Sequence, residues 1–172
     1  MPLSQDRLNR VVQAKKKELD GWAEGVSLER DSGQSVTDLV TLGAAERWRL
    51  AGDFGRTADL LMRSRPRRYR SAISRYYYCM YQAMRAAVYL AHGGDDHQEH
   101  SVLPGHVPND FPEQEEWQTR LKDARFARNA ADYEPFPKSA KDWASRADTM
   151  QRDANALLRS TRDYLRGKGC AV

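Results

Sequence analysis

Residues 72–90 constrain the fold more than any other part of the chain. Ala72, Ile73, Tyr76, Tyr77, Cys79, Met80, Tyr81, Ala83, Met84, Ala86, Ala87, Val88 and Leu90 leave almost no polar face when this stretch is wound into a helix. A helix that is apolar all round must be enclosed by other helices or by a second subunit. Arg75, Gln82 and Arg85 interrupt the stretch, so it does not read as a membrane span. No strand alternation, repeat period or low-complexity segment occurs elsewhere, and the expected class is all-α.

The neighbouring segments supply the covering helices. Ser4 caps a first helix in which Leu8, Val11, Val12, Leu19 and Trp22 recur at helical spacing until Gly25. Residues 25–35 lack periodicity and read as a linker. Thr37 and Asp38 look like a second helix start, and the pattern runs to Met62 with Gly52 and Gly55 loosening it midway. Pro66 suits the first turn of the long apolar helix, which Gly93 and Gly94 end after His92. Residues 93–112 form an unusually long connection, either mobile or functional. Pro112 opens a fourth helix whose first turn holds Glu113, Glu115 and Glu116 and which ends near Tyr133, before Pro135 and Pro137. Ser139 starts the last helix, which buries Trp143, Ala147, Met150, Ala154, Leu157, Leu158 and Tyr164 and stops at Gly167. The expected organisation is an N-terminal helix and linker over residues 1–36, then four core helices over residues 37–172.

With 172 residues, 40% hydrophobic and 30% charged, the chain is long enough for one core and too apolar for a disordered segment. Two cysteines, Cys79 and Cys170, offer neither a disulfide framework nor a metal-binding spacing, and the N-terminus has no apolar export signal. A reducing, cytoplasmic location is expected, with no membrane association. The net charge of +4 is mild. Arg63, Arg65, Arg67, Arg68 and Arg70 nevertheless crowd around Pro66, and Arg65, Arg67, Arg68 and Arg70 form a candidate nucleic-acid-binding surface. A solvated basic helix entrance would look the same.

The fourth helix carries an awkward charge. On a helical wheel Trp117, Leu121, Ala124 and Ala131 define its apolar face, and Arg128 falls at the centre of that stripe, with Arg125 and Asp132 on its shoulder. A buried guanidinium needs a carboxylate, a cavity or an anionic ligand. An Arg128–Asp132 pair at i,i+4 would answer that need without any function. His97, His100 and His106, with Asp95, Asp96 and Glu99 nearby, raise a metal site, but they lie on a glycine-flanked loop without a recognised ligand spacing. No metal and no cofactor are expected.

Two segments together resemble a known family. Residues 70–83, in which Ala72 and Ile73 lead into Tyr76, Tyr77 and Tyr78, resemble the central helix of HEPN proteins. Arg125-Phe126-Ala127-Arg128-Asn129-Ala130-Ala131-Asp132-Tyr133 resembles the arginine to Asp-Tyr signature of one HEPN branch. The resemblance covers roughly residues 37–166 in helix order. It implies an up-and-down four-helix bundle that homodimerises, with the two signature helices facing each other across a composite basic cleft. Many members are metal-independent ribonucleases in which arginine stabilises charge on phosphorus and a histidine four to six residues further on moves protons. This chain departs from that pattern, since no histidine follows His106. The resemblance then implies Arg128 and Arg125 as phosphate anchors, Asp132 and Tyr133 as positioning groups, and His100 as a proton-transfer group supplied from outside the signature helix. Two functions follow. One is an RNA-directed effector of a toxin–antitoxin or antiviral system. The other is a non-catalytic dimeric module that binds a nucleotidyltransferase-like partner, a nucleotide or RNA, with Tyr133 as a site of nucleotide modification. Whether the chain is an enzyme stays open at this point.

Overall fold

The computed structural model describes residues 4–136 and 139–172, and among these it contains helices and no strand. They are α1 (Gln5–Gln13), α2 (Lys16–Ser32), α3 (Val36–Arg63), α4 (Tyr69–His92), a short 3₁₀ turn (Leu103–His106), α5 (Gln114–Tyr133) and α6 (Ala140–Gly167). The chain forms two compact units, Met1–Leu39 and Val40–Val172.

In the larger unit α4 is the central element, packed along its length on α5 and α6. Twelve of its residues are buried, including Ile73, Tyr76, Met80 and Met84, as an all-round apolar helix requires. α5 covers it with Trp117, Leu121, Ala124 and Ala131, and α6 with Trp143, Ala147, Met150, Ala154 and Leu157. The buried positions of α3 are all small: Ala44, Ala45, Ala51, Gly55 and Ala58. Small residues let backbones approach, and a Cβ added at Gly55 would stand 3.3 Å from Cys79 Sγ. Asp59 of α3 ties three helices together, accepting hydrogen bonds from Tyr76 Oη of α4 at 2.6 Å and Gln151 Nε2 of α6 at 2.7 Å. Among the described residues no helix is long and apolar enough to cross a membrane.

Several expected boundaries move. The N-terminal segment is two helices, not one, because Lys15 N–H donates to Glu18 Oε2 at 2.8 Å and starts a new helix after Ala14. That helix passes through Gly25 and covers most of the expected linker. It ends only where Gly33 takes a left-handed φ of 68° and donates to the Glu29 carbonyl. Neither α1 nor α2 buries a residue; polar contacts such as Ser27 to Asp31 help hold α2 along its own length. α3 starts at Val36, one or two residues earlier than Thr37 and Asp38 suggest, since Ser35 Oγ accepts from Asp38 N–H and Ser35 N–H donates back to Asp38 Oδ2. Gly52 and Gly55 do not interrupt it. Pro66 does not open α4 but sits in the preceding turn, where Arg68 N–H donates to the Leu61 carbonyl and Arg68 itself is not helical. Pro112 likewise precedes its helix, because Glu113 turns the chain through the left-handed region at φ 56°. Pro137, expected to help bound α5, lies outside the described residues.

Candidate functional site

Ser74 and Tyr78 lie at i,i+4 on α4, and Arg128 and Asp132 lie at i,i+4 on α5, so each pair shares one helix face. The helices meet there as two rungs. Tyr78 Oη accepts from Arg128 Nη2 at 2.8 Å, and Ser74 Oγ donates to Asp132 Oδ2 at 3.2 Å. Arg128 Nε stands 2.9 Å from Asp132 Oδ2, an ion pair whose N–H lacks hydrogen-bond alignment. Nη1 donates to Asn129 Oδ1 at 3.1 Å. The side chain of Arg128 is 19% exposed, and its Cζ lies 5.5 Å from the centroid of the Tyr78 ring and 5.3 Å from that of Tyr133. The in-chain pair with Asp132 is therefore formed, and the misplaced charge needs no second subunit to neutralise it. Arginine has five N–H donors. Among the described residues, one on Nη1 and one on Nη2 have no protein acceptor.

His100 joins the same place from the α4–α5 connection. Its Nδ1 shares a 2.6 Å hydrogen bond with Tyr77 Oη, and its ring stacks on Tyr81 at 4.1 Å. Tyr77 and Tyr81 are again at i,i+4, and Tyr78 meets the imidazole edge-on at 6.0 Å. Partial burial is the first cause that lowers the His100 pKa from its ordinary 6.5, followed by the nearby charges of Arg128, Arg125 and Arg85. Burial raises the Tyr77 pKa and keeps it a phenol at neutral pH. Arg125 forms no ion pair or hydrogen bond among the described residues, and its guanidinium rests 5.8 Å from the Phe126 ring.

The connection is pinned rather than loose. Asp95 is held by Arg85 and, at 2.9 Å, by Arg47, and these cations depress its pKa. Gln98 binds through its carbonyl to Tyr81 Oη and through Oε1 to Arg85 at 2.9 Å. His100 stands apart from His97 and His106, which instead meet His92. The triad His97, His100 and His106 considered from sequence is not the one assembled.

The basic cluster divides. Arg65, Arg67 and Arg68 are exposed in the turn before α4, and none has a carboxylate partner among the described residues. Arg70 turns inward, donating to the carbonyls of Ala131 at 2.6 Å and Glu134 at 3.0 Å, over the Trp143 ring. It satisfies the C-terminal end of α5. On the outer flank of α5 an open groove of about 670 Å³ is lined by Phe126, Asn129, Tyr133, Pro135 and Arg146 among others. Tyr133, 69% exposed, forms a border between this groove and Arg128. Ser74, Tyr77 and Tyr78 were not singled out as site residues from sequence. The available signal was that buried tyrosine hydroxyls need partners.

No curated protein and no solved structure matches the chain. The HEPN domain family model matches residues 44–163, which is most of the larger unit.

Proposed function

Because the chain belongs to the HEPN domain family, we propose that it is an RNA-directed effector of a toxin–antitoxin or antiviral system, acting as a metal-independent endoribonuclease at the Arg128 site. The observation that carries this is an imidazole, His100, hydrogen-bonded to Tyr77 and stacked on Tyr81 at the place where Arg128 binds Tyr78. With Nδ1–H directed at Tyr77, His100 Nε2 takes the proton of an RNA 2′-OH. The 2′ oxygen attacks the adjacent phosphorus, and the bond to O5′ breaks. The products are a 2′,3′-cyclic phosphate and a 5′-hydroxyl, which receives the proton from His100. Arg125 and the uncommitted N–H groups of Arg128 stabilise the added negative charge on the phosphorane. Asp132 and Ser74 fix the Arg128 fork, Tyr133 offers a ring at the groove edge, and Arg65, Arg67 and Arg68 offer phosphate contacts. A homodimer would place two such sites on facing signature helices.

The test is cleavage of mixed RNA by purified protein without added magnesium or manganese. Expected products end in cyclic phosphate, a 2′-deoxy linkage resists cleavage, and His100→Ala and Arg128→Ala each slow the reaction by about 10²- to 10⁴-fold. Intact RNA with the unaltered protein overturns the ribonuclease reading.

One observation favours a second reading, a non-catalytic dimeric module for a nucleotidyltransferase-like partner, a nucleotide or RNA. Asp132 already neutralises Arg128, and Tyr133 stands exposed for modification. Intact-mass measurement after co-expression with the neighbouring gene product would then show added nucleotide that Tyr133→Phe abolishes.

A further inference from the structure

His92 ends α4, His97 lies in the connection and His106 ends the 3₁₀ turn, yet one ring nitrogen from each falls within 4.8 Å of the other two. The His97 and His106 rings stack at 3.6 Å with 6° between planes, and His92 meets them edge-on at 4.8 and 5.9 Å. The cluster is exposed at His92 and half-buried at the other two. Three imidazoles are a poor choice for such a surface if packing is their only purpose. They gain little from burial there, and each protonation repels the next. They are a good choice for a late transition-metal cation, which accepts three neutral nitrogen donors and leaves a fourth position to water. His92 Nε2 also sits 3.2 Å from the His106 carbonyl oxygen. Donation of Nε2–H to that carbonyl leaves Nδ1 as a lone pair and is the outer-shell contact that commonly orients a ligating imidazole.

We propose that His92, His97 and His106 bind one Zn²⁺ ion per chain, and that this ion clamps the α4–α5 connection. Zinc–nitrogen distances of about 2.0–2.1 Å put tetrahedral donors about 3.4 Å apart, so the donors draw in from within 4.8 Å while the stacked His97 and His106 rings swing out of parallel to aim their in-plane lone pairs at one point. His97 and His106 flank His100 in sequence, and closing them fixes the segment whose imidazole rests on Tyr77 and Tyr81. The ion is a staple and takes no part in the phosphoryl chemistry. The metal-binding claim is independent of the RNA-cleavage reading.

The chain has four histidines, which makes the test direct. Untagged full-length protein, stripped with chelator, is titrated with Zn²⁺ and separately with Mg²⁺ by equilibrium dialysis and elemental analysis. Histidine nitrogens are followed by NMR. The expected result is one Zn²⁺ per chain at micromolar Kd or tighter, no Mg²⁺ at the cluster, and three imidazoles taking on the shifts of metal-bound nitrogen while His100 does not. His97→Ala and His106→Ala each weaken binding at least tenfold, and His97→Gln serves the same purpose if either fails to fold. His100→Ala leaves binding intact. Zinc raises Tm and slows amide exchange over residues 95–106 in the unaltered protein and in His100→Ala, but not in the His97 and His106 variants. Millimolar or weaker binding, unchanged binding in the His97 variants, or direct ligation by His100 overturns the proposal.

Discussion

Asp132, one turn on from Arg128 along α5, supplies the counter-charge, while Tyr78 and Asn129 accept two of the guanidinium N–H groups. Removing one acceptor isolates its worth. Tyr78→Phe is expected to lower stability by about 1.5–3 kcal/mol in urea unfolding, the range for a hydrogen bond to a charged group. The two arginines also act at a distance on His100, whose pKa lies below 6.5 through burial first and then through their charge. Arg128→Ala should move the His100 pKa upward toward 6.5, read from its imidazole protons by NMR. A histidine with a depressed folded pKa contributes stability that is present above about pH 6.5 and is lost as pH falls through the folded pKa, because the unfolded chain takes up the proton first. The acid limb of the stability profile should therefore soften in that variant. An unmoved pKa would show that the Arg128 charge does not act on His100.

At the scale of elements, the site is a property of how α4 and α5 meet. Tyr77 and Tyr81 receive His100, Ser74 and Tyr78 receive α5, and the α5 terminus is secured by Arg70 from the start of α4. Arg70→Ala leaves the Ala131 and Glu134 carbonyls without that donor. We expect a stability loss of about 1–2 kcal/mol and faster amide exchange over residues 130–134, next to Asp132 and Tyr133. Arg67→Ala, on the exposed turn, should leave the urea-unfolding midpoint where it is while flattening the salt dependence of RNA binding. Equal effects of the two substitutions on stability would contradict this division of the basic cluster. Gly55 works at the same scale. Its missing side chain lets α3 approach Cys79, and Gly55→Leu should cost about 1–3 kcal/mol by overpacking.

For the whole molecule, the core and the family match both fall within Val40–Val172, and α1 and α2 bury none of their residues. A chain starting at Ser35 keeps the α3 cap and the complete core. It should unfold cooperatively with a midpoint close to that of the full chain; a broad or absent transition would show that the first two helices are needed. Light scattering of the full chain at micromolar concentration is expected to give twice the monomer mass, as the proposed facing signature helices require. A monomer at those concentrations would leave each Arg128 site to work alone.

Hydropathy alone determined the central helix, since residues 72–90 leave almost no face that water would accept, and the helical wheel alone located Arg128 on the buried side of α5. Both are local periodicities, fixed by the geometry of a single helix. The break at Ala14, the displacement of Pro66 and Pro112 from the helix starts, and the inward turn of Arg70 depended on caps and carbonyls contributed by other residues. So did the sorting of four histidines into His100 on one side and His92, His97 and His106 on the other. Those outcomes needed the tertiary structure because a side chain's partner is chosen by which helices are neighbours in space, and no single-helix period contains that choice.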